Sequence, residues 1–171
     1  MKVTLTHDGK SVELDLTAEQ MTALGLKEEK KTGYERAKRY ETYCTVDVDG
    51  EIITLADSYI DGACSVYGGA NYYTSRELAE ANGRADRLMR QLRRFAAENG
   101  GIPSVEDWRN GDKKKWFIKY DHVFNINVDF VHNNHYFGIV YFNDPNKAHE
   151  AVEYFRDELI WYFTEYEAML R

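Results

Sequence analysis

Apolar and polar residues alternate along the first segment, with Val3 and Leu5 before Asp8-Gly9 and Val12, Leu14 and Leu16 after it. Period-two alternation around a dipeptide that tolerates positive φ at both positions predicts a β-hairpin. Thr17 stands three residues before Gln20, the spacing of a capping box, and Gly25 follows Leu24 as a stop signal, so residues 18–24 read as a short helix. Residues 1–26 thus form a small N-terminal ββα unit, and the charged, mixed-sign residues 27–39 form a connector. Alternation resumes with Tyr43, Thr45, Val46 and Val48, turns at Asp49-Gly50 and continues through Ile52, Ile53, Thr54 and Leu55, which predicts a second hairpin. A looser stretch through Gly62, Gly68 and Gly69 leads to Tyr72-Tyr73. Beyond a cap at Thr74 or Ser75 the period lengthens: Leu78, Ala81, Ala85, Leu88, Met89, Leu92, Phe95 and Ala96 fall on one side at about 100° per residue, until Asn99-Gly100-Gly101 ends the helix.

The second half repeats this order. After a short segment around Trp108 and a charged turn at 109–115, Trp116, Ile118 and Tyr120 predict one strand and Ile126, Val128 and Phe130 the next. Asn133-Asn134 marks a turn, and residues 137–142 predict a third strand. Asp144 then caps a final helix with Pro145 at its first position, where the missing N–H is harmless, and with an apolar stripe of Ala148, Val152, Phe155, Leu159, Tyr162, Phe163, Tyr166 and Leu170. Gly69-x-x-Tyr72-Tyr73-Thr74-Ser75 matches Gly138-x-x-Tyr141-Phe142-Asn143-Asp144, and Ala79 falls where Ala148 does. The pattern predicts an α+β fold of antiparallel hairpins and two long helices. Its strand-hairpin-helix units, residues 40–100 and 101–171, form a degenerate repeat with a period of about 70 residues, packed as one compact domain or two closely packed subdomains.

Composition narrows the functional classes. The chain of 171 residues holds thirteen Tyr, eight Phe and three Trp but only two Pro, the make-up of a well-packed fold rather than a disordered one. A net charge of −7 disfavours uniform attraction to nucleic acid or an anionic membrane. Two cysteines, with no apolar signal stretch behind Met1-Lys2, predict a reducing, cytoplasmic setting, and no apolar run reaches the ~18 residues a membrane helix needs.

Catalytic chemistry is hard to find. Asp47-Val48-Asp49-Gly50 begins like a calcium loop but lacks the later oxygen ligands and the closing Glu, so it reads as the hairpin turn. His132 and His135 bracket a turn without Cys or carboxylate at zinc spacing, and Cys44 and Cys64 lack a Cys-x-x-Cys partner and read as buried thiols. No Gly-x-Ser-x-Gly, phosphate-cradling Gly run with Lys, or His-Glu-x-x-His occurs. The expectation is a binding protein with no catalytic residues, cofactor or metal.

Two helical faces carry more information. Opposite the apolar stripe of the first long helix lie Arg76, Arg87, Arg90 and Arg94, flanked by Arg84 and Arg93 and interrupted by Gly83. Planar guanidinium groups suit phosphate or carboxylate, so this stripe is a candidate docking face for DNA, RNA or an acidic partner. Opposite the stripe of the final helix lie Glu150, Glu153 and Asp157, bordered by Tyr154 and Trp161 at i and i+7, and residues 144–171 hold seven acids against three bases. Large aromatics beside an acidic face are typical interface anchors.

Several segments carry a family likeness: Thr32-Gly33-Tyr34-Glu35-Arg36, Tyr40-Glu41-Thr42-Tyr43, Asn71-Tyr72-Tyr73-Thr74-Ser75-Arg76-Glu77-Leu78-Ala79-Glu80, Lys115-Trp116-Phe117-Ile118, and the end from Gly138 through Val140-Tyr141-Phe142 to Glu158-Leu159-Ile160-Trp161-Tyr162-Phe163-Thr164-Glu165. Through them most of the chain after Lys31 resembles small proteins of phages and prophages of Gram-positive bacteria, some associated with inhibition of type II CRISPR nucleases. The resemblance implies a non-enzymatic anti-CRISPR protein, working in the bacterial host cytoplasm, whose partner is the nuclease–guide RNA complex. The acidic face, Glu150, Glu153, Tyr154, Asp157 and Trp161, is then the surface to enter a basic nucleic-acid groove of that complex. An alternative is a phage accessory protein that binds DNA or RNA directly through Arg76, Arg87, Arg90 and Arg94. In a third reading Tyr154 and Trp161 are buried between copies of the chain.

Overall fold

A computed structural model describes residues 2–25, 31–123 and 125–170. The chain is an α+β protein that divides into two compact units, Met1–Thr32 and Gly33–Arg171. In the first, strands β1 (Lys2–His7) and β2 (Lys10–Asp15) pair antiparallel in the register His7↔Lys10 to Lys2↔Asp15. Asp8 and Gly9 both adopt positive φ, 49° and 74°, as the two-residue turn requires. Helix α1 (Ala18–Ala23) carries the expected capping box: the Thr17 hydroxyl accepts from the Gln20 N–H, and the Gln20 side chain accepts from the Thr17 N–H.

The second unit starts earlier than the sequence suggests. Part of the connector expected over 27–39 lies outside the described residues (26–30), but 33–39 pack into this unit. Their anchor is polar and therefore invisible to hydrophobic patterning. Arg36 donates from Nε to Oδ2 of the fully buried Asp57 at 3.0 Å, and the Tyr72 hydroxyl donates to the same oxygen at 2.9 Å. The Tyr59 N–H donates to Oδ1 at 2.8 Å, and the Arg36 guanidinium lies over the Tyr59 ring, 4.2 Å from its centroid. Tyr72 also accepts the Ala37 N–H. Arg36 Nη2 also approaches Cys64 Sγ at 3.2 Å; of the two free thiols only Cys44 is buried, and Cys64 is exposed rather than buried as expected.

Strands β3 (Thr42–Val46) and β4 (Ile52–Ala56) form the second hairpin, and α2 (Asp61–Gly68) occupies the stretch expected to be loose. Its two glycines stand in its first turn and at its last position, where they weaken a helix least, while Ala63 packs with Ala37, Tyr43 and Tyr72. Helix α3 (Arg76–Phe95) is capped by Ser75, whose hydroxyl accepts from the Leu78 N–H, and a π-helical turn (Ala96–Gly100) closes it. Helix α4 (Val105–Arg109) is too short to show a period, although Ser104 and Asp107 form its capping box.

In the second half, β5 (Lys115–Asp121) is the middle strand of a sheet ordered β6-β5-β7, with β6 covering Asn125–Val131 and β7 only Tyr141–Phe142. The strand expected over 137–142 is cut short because Gly138 adopts φ 78°, which breaks the extended run. In both halves the aromatic pair lies against the first strand of the preceding hairpin: Tyr73 bridges Cys44, and Phe142 pairs with Trp116. Two residues further on, Ser75 and Asp144 cap the following helices.

The final helix is broken. Helix α5 (Pro145–Tyr154) ends at Phe155, whose backbone departs to φ −106°, ψ 19°, before α6 (Arg156–Trp161), a π-helical segment (Tyr162–Tyr166) and the short α7 (Glu167–Met169). The Phe155 ring is seated in the main core with Leu88, Leu92, Phe142 and Leu159, edge-on to Phe95 at 5.9 Å. That seat outweighs uninterrupted helical geometry at an aromatic residue of modest helix propensity. Of the two long helices expected, only α3 is continuous.

The ion pair at Asp57 predicts acid sensitivity. Hydrogen bonding to Arg36, aided by Tyr59 and Tyr72 against the opposing effect of burial, holds its carboxyl down to about 2. A group whose pKa is lower folded than unfolded contributes stability present above its unfolded value, roughly 3.9, and lost as pH falls toward the folded one. Urea midpoints of the intact protein are therefore expected to fall between about pH 4 and pH 2, and Asp57→Asn to be less stable at pH 7 with a shallower decline in that window. An unchanged slope in the variant would remove Asp57 as the titrating group.

Candidate functional site

Helix α3 is packed from two directions. On one side Leu78 and Ala79 meet Cys44, Tyr73, Val46 and Ile52. On the other Ala81 and Ala85 meet Trp161, and Leu88 and Leu92 meet the main core. Gly83 lets the hairpin come close, since a Cβ there would stand 3.2 Å from both Val46 methyls. Between these two packed sides a polar strip of α3 faces α5 and α6 across a groove of about 530 Å³. Arg84, Arg87, Gln91 and Glu80 supply one wall, Tyr154, Phe155 and Glu158 the other, and Gly50 and Ile52 of the hairpin one end.

Specific bonds cross the groove. Arg84 makes a two-pronged pair with Glu158, Nε–Oε2 2.8 Å and Nη2–Oε1 3.0 Å, while its guanidinium lies 3.9 Å above the Trp161 ring. Hydrogen bonding to Arg84 lowers the Glu158 pKa, and the reciprocal bond raises that of Arg84. Both side chains are about two-fifths exposed, at 43% and 40%, so screening limits the pair to the order of 1 kcal/mol. Arg87 Nη2 donates to the Gly50 carbonyl at 3.3 Å. Gly50 turns the hairpin at φ 86°, and a Cβ on it would collide with Arg87 Nη2 at 2.5 Å.

The expected arginine stripe is half engaged by carboxylates around it. Arg76 pairs with Glu80 and Arg94 with Glu98, each at 2.9 Å and one helical turn away. Among the described residues Arg87, Arg90 and Arg93 have no carboxylate within ion-pair distance. Glu150, Glu153 and Asp157 are all exposed, the first two beside Tyr154, which is 76% exposed, and Asp157 beyond the break, on α6. Lys147 donates to both Glu150 oxygens, at 2.8 and 2.6 Å, and Arg156 to Glu153 at 3.2 Å. Tyr154 belongs to two surfaces at once, since it lines the α3 groove and a shallow depression formed with Asn146, His149, Glu150 and Glu153.

Trp161 is a correction. Its place beside Tyr154 assumed one unbroken helix; the break at Phe155 turns residues 156–161, and Trp161 faces inward onto Ala81 and Ala85 at 9% exposure. It anchors the fold and carries Arg84 on its ring instead of edging the acidic face. Arg84 and Glu158, which were outside the expected site residues, are the pair that ties the basic and acidic helices together. A search for opposite charges 74 positions apart in sequence has no local period to follow.

Elsewhere, His135 stacks on Trp108 at 4.3 Å, and the fully buried Lys115 ammonium donates to the carbonyls of Asn110, Lys113 and His132, pinning the loop before β5 to the turn after β6. Among the described residues no group of three or more His, Cys, Asp or Glu is placed to hold a metal, and no helix is long and apolar enough to cross a membrane. No family model, curated protein or solved structure matches the chain.

Trp161→Ala tests the inward placement. Removing a buried indole is expected to cost roughly 3–5 kcal/mol in denaturant unfolding. A loss under about 1 kcal/mol, the size typical of surface positions, would return Trp161 to the exterior.

Proposed function

We propose that the chain acts without catalysis, as an anti-CRISPR inhibitor that binds a guide-loaded type II nuclease and blocks productive engagement of target DNA. The observation that carries this reading is the exposure of Glu150, Glu153 and Asp157 on α5 and α6, with Glu150 and Glu153 beside the exposed ring of Tyr154, on a chain of net charge −7. The resemblance of its strand and helix motifs to phage and prophage proteins supplies the class of partner. Such nucleases hold nucleic acid in positively charged channels, and an array of carboxylates competes for the same cations that neutralise phosphate. Lys147 and Arg156 do not close the face. Exposed pairs of this kind are worth up to about 1 kcal/mol and can exchange for cations of a partner. Tyr154 adds a large ring of low conformational cost at the edge of the patch.

Direct nucleic-acid binding along α3, the alternative, is left with Arg87 and Arg90 outside any ion pair among the described residues, since Arg76 and Arg94 pair with Glu80 and Glu98.

Size-exclusion co-elution with a guide-loaded type II nuclease, beside a DNA-cleavage assay, tests the proposal. The parent protein is expected to co-elute and suppress cleavage. The triple variant Glu150→Lys, Glu153→Lys, Asp157→Lys is expected to lose both properties by about 100-fold or more in effective concentration, with an unchanged melting temperature. Undiminished inhibition by that variant would move the interface off this face, and failure of the parent to bind or inhibit would discard the reading.

A further inference from the structure

The groove between α3 and the C-terminal helices is separate from the charge requirement of the acidic face, and its own charges point to a different ligand. Two guanidinium groups, those of Arg84 and Arg87, and two carboxylates, Glu80 and Glu158, line it, and Arg76 reaches Glu80 from outside the lining. Glu80 is taken by Arg76, and both Glu158 oxygens are taken by Arg84. Among the described residues Arg87 is then the lining cation with no carboxylate within ion-pair distance. Its field reaches Glu158, which is already doubly bonded, and its one hydrogen bond goes to a neutral carbonyl at the long distance of 3.3 Å. The guanidinium is nonetheless positioned, because Gly50 allows the hairpin backbone to lie directly against it.

The remaining lining supplies a place for a ring. Leu88, Ile52 and Phe155 make an apolar floor, Gln91 adds a neutral donor and acceptor one turn beyond Arg87, and Tyr154 presents an exposed aromatic face. Tyr154 is braced from behind by Phe95 and Phe155, with ring centroids 6.1 and 4.7 Å away. A volume of about 530 Å³ exceeds what a bare oxyanion fills and lies within the usual range of small-ligand clefts.

We infer that this groove binds a phosphate ester attached to a planar ring, with Arg87 holding the phosphate and Tyr154 stacking on the ring. A guanidinium fork matches phosphate geometry, and base–aromatic stacking adds affinity without sequence preference. A free mononucleotide and the sugar-phosphate backbone of a single strand share this chemistry. The inference does not depend on the nuclease, since it concerns the protein alone.

Calorimetric or NMR titration of the intact chain at low ionic strength is the test, with adenosine monophosphate, adenosine, inorganic phosphate and a short single-stranded oligonucleotide as probes. The mononucleotide is expected to bind at least about tenfold more tightly than adenosine or inorganic phosphate. Arg87→Gln is expected to remove that advantage, and Tyr154→Leu to weaken binding by about tenfold. Arg90→Gln, on the same helix but outside the groove lining, is expected to change it by less than about twofold. An oligonucleotide that binds more tightly than the mononucleotide, with the same dependence on Arg87, would assign the ligand to a nucleic-acid strand; the reverse order would assign it to a free nucleotide. No saturable binding by any probe, equal binding of phosphate and mononucleotide, or binding indifferent to Arg87→Gln in a variant that melts like the parent would each overturn the inference.

Discussion

The second unit depends on one constraint: α3 must be buried from two directions while leaving a polar strip between them. It contributes to three of the four clusters of buried residues in this unit. Large side chains on both sides would hold its neighbours apart, and the sequence instead supplies Ala79, Ala81, Gly83 and Ala85 through the contact region. Close approach converts dispersion contacts along the helix into most of its stability, since propensity alone gives a single helix little. The cost is steric intolerance, clearest at Gly83, where even one methyl group would press on Val46.

The groove is the geometric remainder of that packing. With the hairpin on one side and Trp161, Phe155 and Leu159 on the other, the arginines between them are brought opposite α5 and α6. Arg84 then joins the two walls through Glu158 while its guanidinium lies on the Trp161 ring. Glu150, Glu153 and Asp157 are not part of the groove lining, and among the described residues the ion pairs of Glu150 and Glu153 are local ones with Lys147 and Arg156. Scaffold and exposed charge are therefore carried by different residues, which allows a partner surface to change without disturbing the fold.

The hairpins, the apolar side of α3 and the caps at Thr17 and Asp144 were legible in the sequence, because each rests on a local signal of period, turn dipeptide or capping oxygen, while the cap of α3 was narrowed only to Thr74 or Ser75. The Ala79 and Gly83 contact was not, since small residues carry almost no weight in a hydrophobic pattern although they decide how near two backbones can come. Helix α2 was hidden by its terminal glycines. Residues 33–39 were hidden because Arg36 and Asp57 hold them by charge and hydrogen bonding across 21 positions. The inward turn of Trp161 followed from a break at Phe155 that only tertiary packing dictates. At the candidate site, the exposure of Glu150, Glu153, Tyr154 and Asp157 was readable from helical spacing, whereas the groove that sets Tyr154 opposite Arg84 and Arg87 exists only in three dimensions.

We propose that the acidic face of α5 and α6 is the partner surface, distinct from the packing that holds α3. Hydrogen–deuterium exchange of the chain, free and bound to a guide-loaded type II nuclease, measures this most directly. The account predicts new protection concentrated over residues 146–157, with the already slow exchange of the α3 core unchanged. Protection confined to the Met1–Thr32 unit or to the β5–β6 hairpin, with residues 146–157 exchanging as in the free protein, would contradict it.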